Sequence, residues 1–135
     1  MTTSSDFGKL LLRLMVGCLM LFHGIAKVNG GISFIVSKVT QEGFPELLAY
    51  GVYVGEIIAP LLLIIGLKTR LASFIIVLTM IFAIYLAHAG DLFSITQTGA
   101  WAIELQMMYL LSALAIMFLG AGKFAFDKET PYSKW

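Results

Sequence analysis

Four apolar runs, at 7–28, 45–67, 71–88 and 100–119, constrain this chain more than any other feature. An α-helix rises about 1.5 Å per residue, so about 20 apolar residues cross a hydrocarbon core of about 30 Å. Each run is long enough to do so. Only 13% of the residues are charged against 59% hydrophobic, about half the charged share of a soluble domain. The expectation is an all-α membrane protein, a four-transmembrane-helix antiparallel bundle forming one domain over 1–135. The spans take roughly 80 residues, which leaves no room here for a soluble catalytic domain. The first run is read as a retained helix, because Arg13 and His23 interrupt it and Asn29-Gly30-Gly31 is a poor cleavage site.

The remaining composition closes other routes. A net charge of +1 gives no basic footprint for nucleic acid. The single cysteine, Cys18, removes thiol pairs, thiolate metal sites and haem attachment through paired cysteines, and no metal-ligand set is expected. Between the first two runs, Ile32, Ile35, Val36 and Val39 repeat with the period of one helix face. This predicts a short amphipathic helix at about 32–42, lying on the membrane surface. Phe93, Trp101, Tyr132 and Trp135 sit where interfacial aromatic anchors belong.

Positive charge orients the spans. Lys9, Lys68, Arg70, Lys123, Lys128 and Lys134 fall on one side, and Lys27 and Lys38 on the other. Both termini are therefore expected in the cytoplasm, with the chain in a bacterial inner membrane.

The informative residues are the ionisable ones inside the spans. Each costs about 2.5 to 3.5 kcal/mol to insert, while a Leu, Ile or Val returns about 0.3 to 0.6. Helix rise places Arg13 about 9 Å in from the cytoplasmic boundary. Glu56 lies near the midplane, His23, His88 and Glu104 in the outer third, and Lys27 at the outer boundary. Arg13, Gly17, Met20, Gly24 and Lys27 share one stripe of the first helix, and its glycines admit a neighbouring helix or a flat ligand. Pro60 cannot donate to the carbonyl four residues back, so Glu56 brings an unused backbone acceptor as well as its carboxylate. Arg13 is the expected partner of Glu56, and Glu104 is either the second candidate for that pairing or the partner of His23 and Lys27.

Several of these residues stand in a recognisable pattern. Arg13 precedes Phe22-His23-Gly24-Ile25-Ala26-Lys27, followed by Gly55-Glu56, Gly66-Leu67-Lys68-Thr69-Arg70-Leu71-Ala72, Glu104, and Gly120-Ala121-Gly122-Lys123 with Asp127. In this the chain resembles the DoxX family of small four-helix bacterial membrane proteins over nearly its whole length. The resemblance implies a cytoplasmic-membrane protein, and members of that family are linked to quinol oxidation, thiosulfate:quinone oxidoreduction, quinone resistance or oxidative-stress complexes. It carries over onto Arg13, His23, Lys27, Glu56 and Glu104; His88 rests on depth alone.

Three function classes compete. The leading one is a quinone-linked redox subunit, with His23, Glu56 and Glu104 as proton-exchanging residues and Arg13, Lys27, His88 and Gly24 binding the cofactor. Its electrons would come from a partner redox protein. The second is a non-catalytic assembly subunit whose polar residues only specify helix packing. The third is a proton or small-solute transporter acting as a homo-oligomer. Quinone is the cofactor these residues suit. Haem b, with His23 and His88 as axial ligands, ranks below it, because two histidines in four helices also arise by chance.

Overall fold

The computed structural model describes residues 3–127, and these are helical apart from turns and one isolated antiparallel bridge between Ile95 and Trp101. Lys128, Tyr132, Lys134 and Trp135 lie outside the described residues. The helices are α1 (Thr3–Gly30), α2 (Ser33–Gln41), α3 (Glu46–Ile65), α4 (Thr69–His88) and α5 (Glu104–Leu119). By length and composition α1, α3 and α4 can each cross a membrane, while α5 is apolar but shorter.

The run expected to be helical from residue 100 thus begins its helix at Glu104, because the preceding backbone is committed elsewhere. Thr96 N–H donates to Ala100 O at 2.8 Å, and Ala102 N–H to Ser94 O at 3.0 Å. That tight turn consumes the groups a longer helix would need. The remaining 16 residues reach only about 24 Å.

One core runs through the bundle. Val16 and Met20 of α1 meet Ala59 and Leu63 of α3, Ala72 and Ile76 of α4, and Ala113 and Ile116 of α5, all at most 5% exposed or fully buried. Large apolar side chains also cover the outside, among them Phe22, Leu47 and Phe118, which are 70%, 79% and 68% exposed. Such a continuous apolar exterior suits acyl chains and not water. This is a membrane protein.

The amphipathic helix forms close to its expected bounds, but its apolar face meets protein. Ile32 and Val39 are buried with Ala49, and Ile35 and Val36 pack onto the same cluster beside Tyr53 and Phe82. Docking against α3 and α4 buries Ile32 and Val39 and partly covers Ile35 and Val36, all of which the sequence alone had laid on lipid.

At one end of the bundle, α3 stops in a Schellman turn. Leu67 N–H donates to Leu62 O at 2.9 Å and Gly66 N–H to Leu63 O at 3.2 Å, with Gly66 left-handed at φ 74°. The other terminal carbonyls need donors as well, since lipid supplies none. Arg13, 1% exposed, provides them: its Nε donates to Leu63 O at 3.0 Å and its Nη2 reaches Ile64 O at 3.4 Å. Phe126 N–H takes Ile65 O at 3.2 Å and Asp127 N–H takes Gly66 O at 3.0 Å. Arg13 Nη1 also donates to Ala121 O and Phe124 O, at 2.5 and 3.0 Å, so one guanidinium ties α1, α3 and the segment after α5 together. Asp6 accepts from Lys123 N–H at 3.2 Å, and Asp127 from Lys68 N–H at 2.5 Å.

Replacing Arg13 by Leu orphans several buried carbonyls at once and should destabilise the protein by about 3 kcal/mol or more. Thermal unfolding in detergent measures the loss, and trypsin cleavage after Lys123 should become faster as the C-terminal segment is released.

Candidate functional site

The other end of the bundle is built around a defect in α3. Its helical hydrogen bonding changes from a 3-10 turn at Glu46–Tyr50 to a π turn at Val54–Ile58, where Ala59 N–H donates to Val54 O, and returns to α-helix at Ala59–Ile65. Pro60 has no N–H to give, so the widened turn stands where the α-pattern would fail. The two glycine positions of α1 receive this region: a Cβ on Gly17 would lie 3.0 Å from Pro60 O, and one on Gly24 would strike Glu56 O and come within 2.6 Å of Ile57 Cγ1. Gly55 plays the same part towards α4, where a Cβ would meet the Thr79 side chain.

With its carbonyl seated on Gly24, Glu56 turns its carboxylate to Lys27, whose Nζ donates to Oε2. The carboxylate side chain is 6% exposed and the ammonium side chain 27%. This corrects the pairing expected from sequence. Arg13 and Lys27 sit 14 residues apart on α1, about 21 Å along its axis. Arg13 is fully engaged at the Schellman end, so it neither pairs with Glu56 nor reaches a cofactor site beside it.

The ion pair stands on the wall of a cavity of about 720 Å³, within the range of small-molecule sites. All five helices contribute, with Met20, His23 and Lys27 from α1, Lys38 from α2, Glu56 from α3, His88 from α4, and Gln106 and Tyr109 from α5. Most of the remaining lining is aliphatic or aromatic. His23 meets the Tyr109 ring edge-on, with centroids 5.7 Å apart and planes at 89°. His88 holds two partners: Asp91 Oδ2 is 3.3 Å from Nδ1 and Gln106 Nε2 is 3.1 Å from Nε2.

Of the residues singled out from sequence, His23, Lys27, Glu56 and His88 converge on this cavity. Gly24 does not line it; its role is to let α3 close onto α1. Glu104 is exposed and also absent from the lining. It occupies the first turn of α5, where a carboxylate faces the positive end of the helix, and pairs with neither His23 nor Lys27. Gln106, Tyr109, Lys38 and Asp91 were missed as site residues. Gln106 left a legible signal, being a lone amide in an apolar run.

A family model, DoxX, matches residues 8–89, which includes His23, Lys27, Glu56 and His88 and ends before α5. The chain is similar to an uncharacterised protein of Haemophilus influenzae, 36% identical over 124 residues that cover 87% of each chain. It is also similar to a Bacillus subtilis protein named "Putative oxidoreductase CatD", 36% identical over 84 residues and 62% of each chain. No solved structure matches it.

Lys27→Met strands a buried carboxylate and should cost about 3 kcal/mol, whereas Lys27→Met with Glu56→Gln should recover more than half of that. A double-mutant cycle of detergent melting curves reads the coupling. Gly24→Ala, which drives a methyl group into the Glu56 carbonyl, should destabilise by about 1 to 3 kcal/mol in the same assay.

Proposed function

The chain belongs to the DoxX family, and from that premise we propose that it is a quinone-linked membrane redox subunit, seated in a bacterial inner membrane with both termini in the cytoplasm. The observation that carries this reading is a partly buried Lys–Glu pair, with a histidine beside it, on the wall of a mostly apolar cavity. An isoprenoid quinone has the matching parts. Its ring and tail are apolar, and its oxygens need donors and proton exchange. The oxidoreductase name of the Bacillus subtilis relative supports the same class, as does the excess of Lys and Arg on one side of the spans for the orientation.

Quinone, when bound, supplies two-electron, two-proton chemistry. The residues' part is to bind and to move protons. Lys27 would be the donor that holds such a group, and Glu56, whose backbone is held against Gly24, would be the carboxylate able to take or return a proton beside it. His23, which meets the Tyr109 ring edge-on, would be the second proton-exchanging side chain of the site. The low polarity around the pair keeps each of these interactions strong. Electrons are exchanged with a partner redox protein.

A second reading, a non-catalytic assembly subunit, is favoured by Arg13, whose buried guanidinium binds backbone carbonyls of α3 and of the segment after α5. One experiment separates the two. Protein purified from its membrane should release quinone on lipid extraction and bind decylubiquinone when titrated, and Glu56→Gln with Lys27→Met should weaken that binding about tenfold or more. Absence of quinone from the extract together with no saturable binding would leave the assembly role standing alone.

A further inference from the structure

Tyr109 of α5 sits where the core of the bundle meets the cavity. The residue is 9% exposed and belongs to the core cluster with Met80 and Ala113. His23 of α1 meets its ring edge-on, with centroids 5.7 Å apart. Tyr109 also lines the cavity, and Glu56 on the same wall is near enough to act on the phenol electrostatically. A ring held by the core therefore delivers a hydroxyl to the polar side of the cavity, the usual division of labour in a buried tyrosine.

That hydroxyl has no hydrogen-bond partner among the described residues, and it is not sealed off either. The closed oxygens that lack a partner there are Thr69 Oγ1 and Gln106 Oε1, and Tyr109 Oη is not one of them. In a buried residue on the cavity wall, an open and unpartnered oxygen faces the cavity. Its polar neighbours are already engaged: Lys27 Nζ donates to Glu56, and the Gln106 amide contacts His88 at 3.1 Å. Tyr109 thus carries an unspent O–H, and a phenol keeps that proton at neutral pH. A buried polar group of this kind calls for a partner that the protein itself does not supply.

We propose that Tyr109 is a ligand-contacting residue, whose hydroxyl donates to a carbonyl oxygen of bound quinone and accepts from the O–H of bound hydroquinone. The inference rests on the quinone reading above and adds a specificity determinant to it, from a helix that lies beyond the family match at residues 8–89. An ammonium can only donate and a carboxylate can only accept, whereas a hydroxyl does both. Tyr109 therefore serves either form of the ligand without a change in its own protonation. Because the hydroxyl holds no bond within the protein, removing it leaves the unliganded bundle as it was. Phenylalanine fills the same core space and keeps the edge-on contact with His23.

The test compares wild-type protein with Tyr109→Phe in lipid nanodiscs, first by thermal melting without ligand, then by titration with decylubiquinone and, anaerobically, with decylubiquinol. The unliganded melting temperatures should coincide, and the variant should bind each ligand about five- to tenfold more weakly, as the loss of one neutral hydrogen bond dictates. Infrared difference spectra of bound decylubiquinone should show a carbonyl stretch lowered by hydrogen bonding in the wild-type protein and moved back up in the variant. Tyr85→Phe, which removes a hydroxyl that contacts Glu42 away from the cavity, should bind as the wild-type protein does. Unchanged affinity of Tyr109→Phe for either ligand assigns the hydroxyl to water and overturns the proposal. So does a variant that melts lower or fails to accumulate, because the hydroxyl would then be holding up the fold. Wild-type protein that binds neither ligand removes the quinone reading and this inference with it, whereas binding that survives intact in Tyr109→Phe removes this inference alone.

Discussion

Hydrocarbon offers no hydrogen bonds, and each buried charge in this bundle is therefore placed where protein atoms can answer it. The two ends solve that problem in opposite ways. At one end Arg13 is surrounded by backbone carbonyls of α3 and of the segment after α5. A planar fork with five donors suits this task, and Lys could not divide itself among four acceptors on two segments. At the other end Lys27 and Glu56 answer each other, and the cavity beside them leaves room for a third party. A charge that ties several backbone carbonyls together is architecture. A charge paired with one side chain can be re-paired.

The π turn in α3 links these two ends to the shape of the bundle. Pro60 removes one donor, the widened turn absorbs the mismatch, and the freed Glu56 carbonyl rests against Gly24. Because α1 presents glycine at both contact points, α3 approaches closely enough to hold the Glu56 side chain at the level of Lys27. The same closeness at Gly55 seats α3 on Thr79 of α4. Three helices are thereby locked around the inner part of the cavity, while α2 and α5 complete its outer part. The site depends on small residues that carry no chemistry themselves.

Much of this was legible in the primary structure. The apolar runs marked α1, α3 and α4 to within a few residues, since lipid imposes both a length and a composition on a span. Glu56 stood out for its insertion cost, and Pro60 for the acceptor it frees. The helix at 33–41 was visible in its periodicity. Its docking partner was not, because an apolar face has the same spacing whether lipid or protein covers it. The start of α5 was misjudged for a similar reason, as Trp101 and Ile103 read as membrane residues although the turn before them had already taken the backbone.

What the chain determined by itself is its solvent and the list of side chains that must avoid that solvent, because transfer free energies act residue by residue. Which of those side chains meet was decided only by the tertiary structure. Arg13 and Lys27 share a stripe of α1, and either could have served Glu56; the choice fell to Lys27 because the terminal carbonyls of α3 lie at the depth of Arg13 and take up its guanidinium. Gln106 gained its partner in the same way. An amide on α5 and a histidine on α4 are far apart in sequence, and only the packing of those two helices brings their nitrogens to 3.1 Å.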